Sequence, residues 1–291
     1  ILLCLSWGFN QIAVKLVLLD VPPMLQALAR SLGALPVILL IGSFRGVKFF
    51  ERDGSLLPGV CCGVIFGIEF VMIYQGLLHT TASRAVVFLY TAPFFVALGS
   101  YVFLGERLRP SQWMGLGLSF AGVALAIGVP QADVDAKVLY GDLFIVAGGA
   151  LWAATTLIVK ATPLIRAPAE KGLGYQVVVS IPILVFAAWL RGETLTQMPS
   201  TLSLSLLAYQ AFWVVGLTFT LWFALVKAYS ASRLSAFTFI TPLFGVVASY
   251  FIMHDRLTLA FGAAALLVIA GLYLVNRPEA ARAEVAPDPN V

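Results

Sequence analysis

Residues 82–108 read ASRAVVFLYTAPFFVALGSYVFLGERL, and residues 231–257, 149 positions later, read ASRLSAFTFITPLFGVVASYFIMHDRL. The two copies share Ala-Ser-Arg at the start, a central proline and an acidic-Arg-Leu triplet at the end, without a gap. Chance similarity between apolar stretches would not keep arginine, proline and acidic residues in one register. A shorter match points the same way, since Trp7 and Lys15 recur as Trp152 and Lys160 with the same spacing. We interpret these matches as an internal duplication.

The composition indicates a protein that lies in a membrane. The chain has 291 residues, of which 60% are hydrophobic and 11% charged, whereas a soluble domain has about 25% charged residues. So few charges cannot cover a water-exposed surface. The apolar runs approach twenty residues without the alternation of a membrane β-strand, which is the length and pattern that a spanning helix needs.

The sequence predicts an all-α integral membrane protein with ten transmembrane helices. The predicted spans are 1–19, 24–43, 56–79, 82–104, 110–128, 139–160, 172–190, 203–227, 231–253 and 258–276. Residues 1–128 form a first five-helix repeat and 139–276 a second, with a connecting loop at 129–138 and a disordered cytoplasmic tail at 277–291. Because five is odd, the second repeat enters the membrane from the opposite side, as in the inverted repeats of transporters.

Basic residues predict the orientation, because loops rich in Lys and Arg stay in the cytoplasm. Twelve basic residues fall in one set of loops and four in the other. Both termini are therefore expected in the cytoplasm. The same placement accounts for the net charge of +4 without nucleic-acid binding. The expected partners are a small-molecule substrate and the lipid bilayer.

The repeated residues also resemble a known family. The stretch WGFNQIAVK at 7–15 and the block from Ser83 to Leu108, with its second copy, are similar to motifs of the EamA family in the drug/metabolite transporter superfamily. The second copy departs from the pattern by having Asp255 in place of glutamate. The chain is most similar to the YddG-type aromatic amino-acid exporters. The resemblance implies ten helices, alternating access and export across the bacterial inner membrane.

Other functions are weighed beside this one. An importer or facilitator for another metabolite or a cationic drug would share the fold. A membrane enzyme is disfavoured, because the sequence has no His-Glu-x-x-His, Gly-x-Ser-x-Gly or P-loop motif. Cys4, Cys61 and Cys62 show neither metal spacing nor a disulfide framework. We therefore expect no enzyme activity, no cofactor and no metal.

Glu69 lies near the middle of the third predicted span. A charge at that depth costs about 2.5–3.5 kcal/mol on insertion scales and needs a partner or a wet cavity. Glu69 is either a proton-coupling group or ligand for a substrate amine, or one member of a structural ion pair with Arg30 of the second span.

Polar and aromatic residues that share helix faces inside the bilayer predict an inward, amphipathic surface that could stack a flat ring and bind its polar groups. The candidate substrate-binding residues are Trp7, Asn10, Tyr74, His79, Tyr90, Trp152, Tyr175, Gln176, Gln210 and Trp213. His79 is alternatively an interfacial histidine.

Two further pairs have matched positions in the two repeats. Lys15 and Lys160 are either gate residues or helix-end charges that reach the headgroups. Pro93 and Pro242, inside spans four and nine, are candidates for hinges or for simple bends. Gly59, Gly63 and Gly67, four residues apart, predict a helix-packing face.

Overall fold

The computed structural model describes residues 1–80, 82–127, 135–253 and 259–277, which contain helices and connections but no strand. Helices α1 to α13 cover Leu2–Val17, Pro23–Phe44, Leu56–Leu77, Ala82–Leu89, Ala92–Leu104, Pro110–Ile127, Ala136–Ala161, Ala169–Leu190, Thr201–Ala208, Thr220–Ala228, Ala231–Ala236, Thr241–Met253 and Leu259–Asn276. Short 3-10 helices cover Pro163–Ile165 and Phe237–Ile240, and a π-helical segment covers Tyr209–Phe219.

Long apolar helices dominate the described chain. Seven stretches are long and apolar enough to cross a membrane: Pro23–Phe44, Leu56–Leu77, Ala85–Leu104, Ala136–Ala161, Ala169–Leu190, Thr201–Ala228 and Ala231–Ile252. The described helices α1, α6 and α13 occupy the other three predicted spans. The protein is thus an all-helical, multi-pass membrane protein. Positions 128–134, 254–258 and 278–291 of the predicted spans, connecting loop and tail lie outside the described residues.

Local sequence sets where the long helices begin and end. Pro23 opens α2, where its missing N–H costs nothing. Gly46 follows α2 with φ of 68°, and Gly192 follows α8 with φ of 61°. Both adopt the left-handed conformation that side chains disfavour. The stretch Pro36 to Gly46 has its counterpart 146 positions later, from Pro182 to Gly192.

The predicted proline kinks take a different form. Pro93 lies in the first turn of α5, after a turn at Tyr90 and Thr91 that interrupts the helix. Pro242 lies in the first turn of α12, after the 3-10 turn Phe237–Ile240. Each proline therefore starts a new helical segment rather than bending a continuous one. The prolines inside continuous helices are Pro36 and Pro182.

Contacts between the two halves come in matched pairs. α6 packs on α13 and α2 on α8, which joins each helix to its own counterpart. α3 packs on α7 and α8, while the stretch from α9 through the π-helical segment packs on α1 and α2. α5 packs on α7, and α12 packs on α1. Each contact thus has an equivalent with the roles of the halves exchanged.

Close helix contacts rely on glycine. A Cβ added at Gly63 would lie 2.5 Å from the Cβ of Val179, and one at Gly67 would lie 2.9 Å from Ile183. The glycine face of α3 therefore packs directly on α8, as its spacing predicted. On the α6–α13 contact, a Cβ at Gly122 would lie 2.7 Å from the carbonyl oxygen of Ala264.

Charged groups join the halves at both ends of the bundle. One end, here called the basic end, has connections 45–55, 105–109, 162–168 and 229–230. There Asp53 pairs with buried Lys171 at 2.8 Å, and Arg45 pairs with Glu170 at 2.7 Å. At the opposite end, Glu193 accepts hydrogen bonds from the first backbone N–H groups of α2, and Asp20 accepts one from the Ser200 hydroxyl at 2.5 Å.

Candidate functional site

A cavity of about 150 Å³ lies between the halves. Residues of α1, α2, α3, α4, α7, α8, the π-helical segment and α10, together with Tyr90, surround it. The lining residues are Trp7, Asn10, Gln11, Val14, Arg30, Phe66, Glu69, Phe70, Ile73, Tyr74, Leu77, Leu89, Tyr90, Trp152, Thr155, Gln176, Val214, Phe219, Trp222 and Phe223. A cavity of about this volume holds one benzene ring.

Aromatic rings form one continuous wall of this cavity. Trp7 contacts Trp222 at 5.3 Å and Phe219 at 5.8 Å between ring centroids, both edge to face. Phe219 contacts Phe66 at 6.3 Å, and Phe66 contacts Phe70 at 4.8 Å. Such edge-to-face pairs stabilise one another beyond the burial of their area. The wall is therefore closely packed, and it is apolar over most of its length.

Several buried polar atoms on the lining make no hydrogen bond within the described structure. They are Asn10 Oδ1, Arg30 Nε, Tyr74 OH, Gln176 Oε1 and Trp222 Nε1. Buried polar atoms are nearly always paired, so several unpaired ones on one cavity need an explanation. Convergent polar groups in an apolar pocket are typical of a ligand site.

Arg30 and Glu69 are the basic and the acidic residue of the lining. Arg30 is 5% exposed and Glu69 is 7% exposed. The Arg30 guanidinium lies 4.4 Å from the ring centroid of Phe70, a cation–π contact. Arg30 and Glu69 interact electrostatically, but within the described chain they form no ion pair at 4.0 Å or less. Whether the two residues act as a structural pair or in coupling and substrate binding stays a prediction.

Equivalent residues of the two halves meet at the cavity. Trp7 and Trp152, like Asn10 and Thr155, are 145 positions apart. Phe70 and Phe219, Ile73 and Trp222, and Tyr74 and Phe223 are 149 apart, and Arg30 and Gln176 are 146 apart. The cavity thus lies where the duplicated halves face each other. The charges are not duplicated, because Gln176 matches Arg30 and Thr218 matches Glu69.

The structure brings half of the predicted site residues together. Those on the lining are Trp7, Asn10, Arg30, Glu69, Tyr74, Tyr90, Trp152 and Gln176. Their role in binding stays a prediction.

Four predicted substrate contacts lie elsewhere. Trp213 donates to the Ser6 hydroxyl at 2.9 Å, and the buried Gln210 accepts from Gln26 at 3.1 Å. Tyr175 packs on Gly59, with its hydroxyl 3.5 Å from that of Ser55. His79 lies just after α3, with Nε2 3.1 Å from Gln75. Each of the four side chains contacts a polar group outside the cavity, which the sharing of a helix face could not reveal.

Lys15 and Lys160 lie away from the cavity. Lys15 is exposed in the last turn of α1, and Lys160 is half-buried in the last turn of α7. The two helices end at opposite ends of the bundle, and a gate role for these residues stays a prediction.

Several lining residues were not among the site residues predicted from the sequence. Phe66 and Phe70 precede Tyr74 by eight and four positions, so they share its helix face. Phe219 and Trp222 sit at positions equivalent to lining residues of α3. The duplication offset of 149 relates Phe219 to Phe70 and Trp222 to Ile73, and neither Phe70 nor Ile73 was a predicted site residue, so the offset alone could not find them. In the described part of the chain, no group of three His, Cys, Asp or Glu residues is arranged to hold a metal.

A bundle of spanning helices around an amphipathic cavity is the arrangement expected of a membrane transporter. The model of the EamA-like transporter family matches residues 1–128 and 139–277, so the chain belongs to that family.

Relatives agree with this assignment. A probable amino-acid metabolite efflux pump of Salmonella typhimurium is 27% identical over 94% of this chain and 92% of its own length. The uncharacterized transporter YvbV of Bacillus subtilis is 27% identical over 98% of this chain and 92% of its own length. A protein crystal structure superposes with a TM-score of 0.78 at 18% identity, covering 94% of this chain and 95% of that one, which shows the fold alone.

Proposed function

We propose that this transporter exports small amphipathic solutes, with aromatic amino acids as the preferred class, across the bacterial inner membrane. The observation that carries the proposal is the cavity, in which a continuous aromatic wall faces buried, unpaired polar atoms. A flat ring can stack on such a wall while its polar groups bind the unpaired atoms. The Salmonella relative, described as a probable amino-acid metabolite efflux pump, is consistent with this class.

Alternating access is the mechanism we propose. Ten spans would form two inverted five-helix halves, with both termini in the cytoplasm and the basic end facing it. The reciprocal contacts between halves support this arrangement, because inverted repeats rock against each other around a site between them. The ion pairs and hydrogen bonds that join the halves at the two ends of the bundle would have to break in turn, first at one end and then at the other. The lining extends to Leu77, the last residue of α3, and so approaches the opposite end.

Efflux from liposomes containing the purified protein tests the proposal. The vesicles are loaded with labelled phenylalanine, threonine or lysine, with and without a pH gradient, and vesicles without protein are the control. We expect protein-dependent efflux of phenylalanine to exceed that of threonine and lysine. A dependence on the pH gradient would indicate proton coupling. Absence of phenylalanine efflux from folded protein would contradict the proposal, and lysine efflux alone would favour a transporter of cations.

A further inference from the structure

We propose that Arg30 and Glu69 bind the two ends of a zwitterionic head group, Arg30 the carboxylate and Glu69 the ammonium, of an amino acid with an uncharged side chain. This inference rests on the proposed amino-acid export and names the chemical feature by which the cavity recognises its substrate.

The charges on the lining match a zwitterion. Arg30 and Glu69 are one basic and one acidic residue, both are buried, and no N–O distance between them is 4.0 Å or less. Arg30 keeps an unpaired Nε, and the buried Tyr74 hydroxyl interacts with the same guanidinium. A buried charge is costly unless paired. A substrate carboxylate and ammonium would each supply the missing counter-charge.

The asymmetry between the halves supports a role in recognition. Helix packing is shared by both halves, so a purely structural pair would be expected to recur in the second. Instead Gln176 and Thr218 occupy the equivalent positions. The Thr218 hydroxyl accepts a hydrogen bond from Trp7 at 2.9 Å and is therefore bound to a residue of the aromatic wall. The first half thus supplies both charges for the head group.

The aromatic wall leads away from the charges towards the basic end. From Arg30 the contacts run through Phe70, Phe66 and Phe219 to Trp7. Trp7 in turn contacts Trp152 at 6.5 Å. Within the described lining, no charged residue lies beside this part of the cavity. A neutral, ring-sized side chain fits there, whereas a charged one would be buried without a partner.

The two proposed contacts, Arg30 with the substrate carboxylate and Glu69 with the substrate ammonium, are here called the clamp. Inhibition of phenylalanine flux in wild-type proteoliposomes tests it. The competitors are phenylalanine, phenethylamine, which lacks the carboxylate, and 3-phenylpropionate, which lacks the ammonium. Losing one partner of a buried charge contact weakens binding by about 30-fold or more. We expect both analogues to compete about 30-fold more weakly than phenylalanine. Competition by either analogue within about threefold of phenylalanine would overturn the clamp.

Two variants test which residue binds the carboxylate of the substrate and which binds its ammonium. Arg30→Gln, which introduces the residue of the second half, is expected to let phenethylamine compete as well as phenylalanine. Glu69→Gln is expected to do the same for 3-phenylpropionate. Arg166→Gln and Glu51→Gln, exposed charges outside the cavity, are the matched controls and should keep wild-type discrimination.

The outcomes separate the two proposals. Phenylalanine flux without discrimination in the wild type overturns the clamp and leaves the export proposal standing. Absence of phenylalanine flux overturns both. Folded, active variants that keep wild-type discrimination also overturn the clamp. If neither variant folds, the wild-type competition decides the question by itself.

Discussion

Glu106 accepts a hydrogen bond from the Ser232 hydroxyl at 2.8 Å, so a carboxylate of the first half caps a helix of the second half. The same carboxylate accepts hydrogen bonds from the Ser230 hydroxyl and the Ala231 backbone N–H. The first backbone N–H groups of a helix have no partner within it, and a negative charge there is favourable. This contact therefore joins the halves at the basic end.

Removing this cap should destabilise the protein. Glu106→Ala leaves the donors at the start of the Ala231–Ile252 span unpaired, at a cost of about 1–2 kcal/mol. We expect the melting temperature in detergent to fall by about 3–8 °C. Ser232→Ala and the double variant complete a mutant cycle. An unchanged melting temperature, or strictly additive effects, would argue against the contact.

The Asp53–Lys171 pair should make stability depend on pH. Hydrogen bonds from Lys171 and Ser55 hold the pKa of Asp53 well below its usual range. Because that pKa is depressed, the stabilisation is fully present above the unfolded value of about 3.9 and is lost as pH falls towards the folded value. Asp53→Asn also leaves buried Lys171 without its counter-charge, so the melting temperature near pH 7 should fall by about 2–5 °C.

The difference between Asp53→Asn and the wild type should shrink progressively below about pH 4. Glu51→Gln is the control, because the exposed Glu51 contacts Lys171 through its backbone carbonyl. A difference that is constant from about pH 7 to pH 3 would mean that Asp53 acts other than through its charge.

The glycine face of α3 should tolerate no added methyl group. Gly63→Ala places a Cβ against the β-branched Val179 and the backbone of Tyr175, so the helices must separate. We expect a loss of about 1–3 kcal/mol of stability. Gly117→Ala, with no atom within 4 Å of the new Cβ, should be neutral or stabilise by up to about 1 kcal/mol. Equal melting temperatures for both variants would be incompatible with the α3–α8 contact.

The sequence predicted helices and glycine packing better than it predicted the site. Length and hydropathy fix a spanning helix, and four-residue spacing fixes a glycine face, because both are local properties. The cavity depends on which helix faces meet, so Trp213 and Gln210 share polar character with Asn10 yet bind other helices instead. The break before Pro93 likewise needs the packing around it. Trp222 was detectable only by combining the duplication offset with the contacts of Trp7.

The central claim is that solute passes through the cavity between the halves. Thr155→Trp fills that cavity from α7, since Thr155 is 2% exposed and lines it, and Ser205→Trp adds the same group on the exposed face of α9. Phenylalanine flux through both variants, matched for folded protein, is the most direct measurement. We predict a fall of at least about tenfold for Thr155→Trp and wild-type flux for Ser205→Trp. Wild-type flux through folded Thr155→Trp would contradict the account.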